Sequence, residues 1–199
     1  MNAIMCNGIK IAGCFLAAAV VGTLVYFGVR RIISCAPLPE NPDDIDGGVV
    51  KRYWTDAPKS IKSTEIVAFH CEISFFAVCD ADDLGNRVYR LNASLEDGEV
   101  LVNYDWYDRY GNSDKAEYKT NADFMVRLQE IVSEYNFAQH NGYYHTVSGL
   151  PHMYGESLDI IYASGEQINV HDNQSGFLSF EAEKSLVTLF GANTKPELK

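Results

Sequence analysis

Residues 64–107 read TEIVAFHCEISFFAVCDADDLGNRVYRLNASLEDGEVLVNYDWY, and this stretch decides the fold class. From Thr64 to Cys79 the odd positions Val67, Phe69, Cys71, Ile73, Phe75 and Ala77 are all apolar, while the even positions include His70, Glu72 and Ser74. Successive side chains of a strand point to opposite faces, so this alternation predicts a long half-buried strand. Asp80 to Asn86 is a turn by composition. Arg87 to Leu95 alternates again, with Tyr89, Leu91, Ala93 and Leu95 on one side. Glu96-Asp97-Gly98 then marks a tight hairpin, and Glu99 to Tyr107 places Val100, Val102, Tyr104 and Trp106 inward. Three consecutive strands with short turns form an antiparallel meander.

Working toward the C-terminus, Asn121 is a candidate N-cap for a helix over ADFMVRLQEIVSEY. Its Phe124, Leu128, Ile131 and Tyr135 recur at helical spacing and make one apolar stripe. Ser157–Ala163 and Gln167–His171 read as a second hairpin around Ser164-Gly165-Glu166. Ser179 caps a last helix that turns Ala182, Leu186 and Leu189 inward, with Gly191 at its C-terminal end. The expected order is βββαββα: an α+β domain over residues 64–191, an antiparallel sheet with two helices on one face, followed by a tail at 192–199.

Working toward the N-terminus, Ile11–Val29 reads IAGCFLAAAVVGTLVYFGV without a charge. About 19 helical residues span roughly 28 Å, close to the hydrocarbon thickness of a bilayer. Lys10 bounds one end, Arg30 and Arg31 the other, and Tyr26 and Phe27 lie near the second boundary. Residues 1–35 are therefore expected to be a single-pass membrane anchor. A cleaved signal peptide would have a shorter apolar core, and a lipobox reading of Ile32-Ile33-Ser34-Cys35 would make Cys35 a lipidated residue. The positive-inside rule favours a cytoplasmic domain by a single charge. Residues 36–63, opening with APLPENPDDIDGG, are expected to be a proline-rich stem.

Charge narrows the partners. The chain carries −11 formally, and since Lys10, Arg30 and Arg31 contribute +3 to a segment without acids, the remainder carries −14. An acidic domain without a basic stripe repels phosphate backbones, which argues against nucleic acid. The five cysteines do not form a disulfide framework: Cys71 and Cys79 lie on one strand, roughly 26 Å apart if extended, and read as small core residues.

The runs Asn141-Gly142-Tyr143, Ser148-Gly149-Leu150-Pro151, Ser157 through Glu166 and Asp172-Asn173-Gln174-Ser175 resemble an uncharacterised bacterial family of membrane-anchored or lipoprotein-like small α+β domains. The resemblance covers roughly residues 60–191. It implies the fold already drawn and a cell-envelope setting outside the cytoplasm, and it brings no catalytic residues.

Signals that carry chemistry are sparse. His70, Glu72, Arg90, Asn92, Asp105, Asp159, Asn169 and His171 would project from the polar face of the sheet, where carboxylates beside imidazoles could act as acid and base or ligate a metal. A solvated face is the plain alternative. His140, His145 and His152 share one loop, but their spacing matches no common zinc pattern, so no metal site is expected. Asp80, Asp82 and Asp83 fail the calcium-loop pattern, with Leu84 and Leu91 where ligands belong. Asn92-Ala93-Ser94 and Asn173-Gln174-Ser175 fit the glycosylation pattern, which has meaning only in a eukaryotic secretory pathway. No phosphate-binding glycine loop or nucleophile elbow occurs, and no cofactor is expected. The best hint is the long loop from Phe137 to Gly155, whose Tyr143, Tyr144, His145 and Tyr154 are candidate ligand-binding residues. The expectation is a membrane-tethered module that binds a protein, peptide or envelope polymer; the rival is a metal-dependent or acid/base hydrolase using the polar sheet face.

Overall fold

The computed structural model describes residues 48–75, 85–147 and 155–192. The expected anchor at 1–35, most of the tail, Cys79 and Tyr154 lie outside the described residues. Among the described residues no helix is long and apolar enough to cross a membrane.

Eight strands form one sheet: β1 (Val49–Tyr53), β2 (Ile66–Ser74), β3 (Arg87–Glu96), β4 (Glu99–Asp108), β5 (Ser113–Thr120), β6 (Tyr143–Val147), β7 (Glu156–Tyr162) and β8 (Gln167–Asp172). Two α-helices, α1 (Asp123–Glu134) and α2 (Phe180–Gly191), and a 3₁₀ turn at Phe137–His140 complete the described residues. The spatial order is β1-β6-β8-β7-β2-β3-β4-β5. This corrects the α+β expectation. The protein is sheet-rich, and its sheet is mixed rather than antiparallel, because β6 runs parallel to β8.

Three strands escaped the pattern for separate physical reasons. β1 lies within the stretch expected to be stem and is only five residues long. β5, Ser-Asp-Lys-Ala-Glu-Tyr-Lys-Thr, is an edge strand with Lys115, Glu117 and Lys119 exposed, and its inner face is marked only by the half-buried Ala116, Tyr118 and Thr120. Charged edges discourage further strand pairing. β6 sits inside the expected loop, and its five residues are all half-buried, so no alternation announces it.

The core forms where the period-two pattern put it. Phe69, Cys71 and Ile73 of β2, Tyr89 and Leu91 of β3 and Val100 and Val102 of β4 are buried on one face. Leu158 and Ile160 of β7 and Ile168 and Val170 of β8 extend it. A register shift between Ile66 and Ala68 explains why Ile66 is buried while Val67 is not. Phe124 and Leu128 of α1 and Leu186 and Phe190 of α2 close this face, and the Phe190 ring lies 5.6 Å from Phe69 and 5.1 Å from Phe124. The Tyr118 hydroxyl donates to the Phe190 carbonyl at 2.8 Å, tying the edge strand to α2. Cys71 is a free buried thiol, as its place on the apolar face implied.

Local signals explain the ends. Asp97 and Gly98 both take positive φ, 50° and 84°, the conformation of a two-residue hairpin turn, and Glu96 pairs with Glu99 across it. Ser179 accepts from Ala182 N–H at 3.3 Å and caps α2. At the start of α1, Asn121 Oδ1 accepts from Asp123 N–H at 3.1 Å.

Leu158 is fully buried at the middle of the sheet, so Leu158→Ala should lower the unfolding free energy by about 2–5 kcal/mol in urea titrations. Val126→Ala on the exposed side of α1 should change it by less than about 0.5 kcal/mol.

Candidate functional site

β1 and β6 form a two-stranded ribbon of five antiparallel pairs, Val49↔Val147 to Tyr53↔Tyr143. It joins the other six strands through two parallel pairs, Tyr144↔His171 and His145↔Asp172. So short a seam needs reinforcement, and two buried asparagines supply it. Ahead of β6, Asn141 Nδ2 donates to the carbonyls of Pro58 (3.0 Å) and Gln167 (2.9 Å), and its Oδ1 accepts from Asn169 N–H at 2.8 Å. After β8, Asn173 Oδ1 accepts from Val147 N–H at 2.8 Å, and its Nδ2 donates to the Val147 carbonyl at 3.0 Å. A side-chain amide has the donor and acceptor of a peptide group, so each asparagine extends the ladder by one rung. Between Asn141 and β6, Gly142 has φ 79°, and a Cβ there would come within 2.5 Å of Ala57 Cβ.

The strand alternation splits the predicted site residues between two faces. Tyr143 and His145 turn toward the Asp172 side of the sheet, and Tyr144 turns toward the His171 side. On the first face Tyr143 lies 5.0 Å from Tyr53 and 6.4 Å from His145, ring centre to ring centre. On the second, Tyr144 stacks on His171 at 5.0 Å and meets Trp54 edge-on at 6.3 Å. Sequence reasoning missed Tyr53 and Trp54, which it left in the stem. Their adjacent rings beside Lys51 and Arg52 were the available signal, and the Lys51 ammonium now lies 5.7 Å from the Tyr53 ring centre.

Asp172 organises the first face. Only 2 % exposed, its carboxylate accepts from the Tyr143 hydroxyl (3.0 Å), His145 Nδ1 (3.1 Å), the Ser175 hydroxyl (2.9 Å) and the N–H groups of Gln174 (2.8 Å) and Ser175 (3.0 Å). Burial pushes this carboxyl upward, but the bonds from Gln174, His145 and Ser175 outweigh it and hold it below the usual carboxylate range. Burial, then the bond to Asp172, pushes the Tyr143 phenol up to about 12. An ionised Asp172 accepts from His145 Nδ1–H and so fixes the orientation of the ring.

The opposite face carries the polar residues expected there, and cross-strand register puts Asp105, Arg90, Glu72, Ser157, His171 and Tyr144 in one row. Arg90 Nε donates to Glu72 at 2.9 Å, its guanidinium lies 3.9 Å from Asp105, and it also covers the Tyr107 ring at 5.1 Å. In the next row His70 Nδ1 lies 2.7 Å from Asn92 Oδ1, and Asn169 donates to Asp159. Burial raises the Asp159 carboxyl, against the opposing pull of His70, Asn169 and His171. Charges on this face are thus largely matched within it. His140 lies on the 3₁₀ turn with its ring 5.7 Å from that of Phe177. Among the described residues no group of three His, Cys, Asp or Glu side chains could hold a metal ion.

No protein-family model matches this chain, and no curated protein matches it in sequence.

Asp172→Ala would strand five donors and should cost about 3 kcal/mol or more in urea titrations. Because Asp172 is depressed in the fold, its contribution is present above the ordinary aspartate value of 3.8 and lost as pH falls below it. The substitution should therefore also flatten the acid limb of the stability curve.

Proposed function

We propose that the chain is a membrane-tethered binding module whose recognition surface is the β1–β6 ribbon, and whose ligand is a protein, peptide or envelope polymer. The observation that carries this reading is where the large exposed apolar side chains fall. Among the described residues there are five, and three of them, Val49, Tyr53 and Trp54, sit within six positions on the ribbon or beside it. Elsewhere the large rings are mostly buried in the core, so a cluster of Tyr53 at 60 % and Trp54 at 40 % exposure is a concentration of contact area. Tyr53 and Trp54 rest against Tyr143 and Tyr144, and Asp172 and the two asparagines hold the strand that carries these supporting rings, which lowers the entropy lost on binding. An uncharged stretch at 11–29 supports the tether. The resemblance to membrane-anchored envelope domains supports the setting.

In affinity capture from solubilised envelopes with the full-length protein, joint Tyr53→Ala and Trp54→Ala should reduce recovery of a specific partner tenfold or more while leaving the melting temperature nearly unchanged. Tyr110→Ala, more exposed than either but away from the ribbon, should not reduce it. Undiminished capture by the double variant would remove the ribbon from consideration.

An acid/base hydrolase acting from the polar face has one observation in its favour: Asp159, its carboxyl raised by burial, stands between His70 and His171. That reading requires Asp159→Asn to abolish turnover of ester, glycoside or peptide test substrates. Retention of turnover, or none in the parent protein, removes it.

A further inference from the structure

Glu156 opens β7 on the apolar face, opposite Ile73 of β2 and Asp172 of β8, and is 3 % exposed. Its Oε2 accepts from the N–H groups of Phe177 (2.6 Å) and Leu178 (2.9 Å), pinning the turn that leads into α2. Its Oε1 is fully buried, and among the described residues no donor reaches it in the ordinary charge states. Gly176 packs so close that a Cβ there would stand 2.8 Å from that oxygen, which excludes a bulkier donor from that side. Glu183, in the first turn of α2 and 8 % exposed, places its carboxyl against Glu156. Two carboxylates in contact and out of water repel each other, and neither can donate to the other. A proton on one of them removes the repulsion and supplies the missing donor in the same step.

We propose that Glu156 and Glu183 hold a single proton, carried by Glu183 and donated to Glu156 Oε1, and that this proton latches the first turn of α2 and the 173–178 turn onto the sheet. Glu156 is the natural carboxylate of the pair, since it already accepts two backbone N–H groups. The surroundings agree from every side. Cys71 of β2 is a buried thiol, Glu181 adds negative charge from the same helix, and Asp172 lies across on β8. His140 of the 3₁₀ turn can carry positive charge, but burial, reinforced by Lys59, pushes its pKa down against the pull of Glu156. The Glu183 carboxyl is raised by burial first, then by its bond to Glu156 and the charges of Glu156 and Glu181, to about 10.

The sign of the pH dependence follows. A folded value of about 10 against an ordinary 4.5 means that the contribution is complete below 4.5 and is lost as pH rises toward 10. In the full-length protein the urea midpoint should therefore fall as pH rises from about 5 to about 9. Glu183→Gln keeps the shape, is neutral throughout and can donate to the same oxygen, so it should flatten that fall and exceed the parent in stability at the alkaline end. Equal slopes in parent and variant overturn the latch. The parent alone gives a second answer, independent of whether the variant folds. With glutamate labelled by ¹³C at the side-chain carboxyl, one resonance should keep the protonated position through neutral pH. If every glutamate carboxyl titrates at ordinary carboxylate values, the shared proton does not exist.

Discussion

Two carboxylates taken out of water on neighbouring strands set the conditions for this end of the molecule. Asp172 closes β8 and Glu156 opens β7, directly paired across the ladder and both on the apolar face. A buried carboxylate without donors costs several kcal/mol, so the chain that follows must bring donors to both. The segment after Asp172 does so by folding back at once: Gln174 and Ser175 serve Asp172, while Phe177 and Leu178 serve Glu156. The path from the sheet to α2 is thereby fixed by electrostatic need rather than by apolar packing alone. Tyr143 and His145 complete the Asp172 shell, so the ribbon is positioned by the same constraint.

This arrangement separates two roles that the aromatic ribbon residues could otherwise confuse. Tyr143 and His145 are held by Asp172, and Tyr144 lies against His171, so these rings are largely structural in orientation. Tyr53 and Trp54 rest on them and face outward. A rigid inner layer supporting a more exposed outer one is how a small surface presents contact area without paying heavily in lost rotamer freedom. The polar face differs in kind. Its Arg90 is engaged with Glu72 and Asp105, and its Asp159 with Asn169, so its charges are satisfied within the sheet.

The central strands were legible because burial on one face writes period two into the sequence. Phe69, Cys71, Leu91 and Val102 needed no further information. The helices were legible from Leu128 and Leu186 and from the Ser179 cap. What failed to show was everything stabilised by polar pairing across long sequence distance. β6 is held by Asn141, Asn173 and Asp172, whose partners lie up to 83 positions away, and no local periodicity reports such bonds. β1 carries no buried side chain, and the parallel seam that makes the sheet mixed comprises only two pairs. Of the candidate site, the rings at 143–145 were visible as composition, but their division between two faces required knowing that they form a strand. Tyr154 lies outside the described residues.

The ribbon contributes no residue to the buried core; only Tyr143 packs against it from the margin. The six strands from β8 to β5, with both helices, therefore enclose the apolar interior without its help. Peeling β1 and β6 away would break the parallel rungs and the asparagine bridges yet wet little hydrophobic surface. Such a detachment should cost less than global unfolding, which makes the ribbon a separate cooperative unit with its own opening equilibrium. Backbone amides of Tyr143–Val147 would then exchange with solvent through that partial opening, well before those at the centre of β2 and β7.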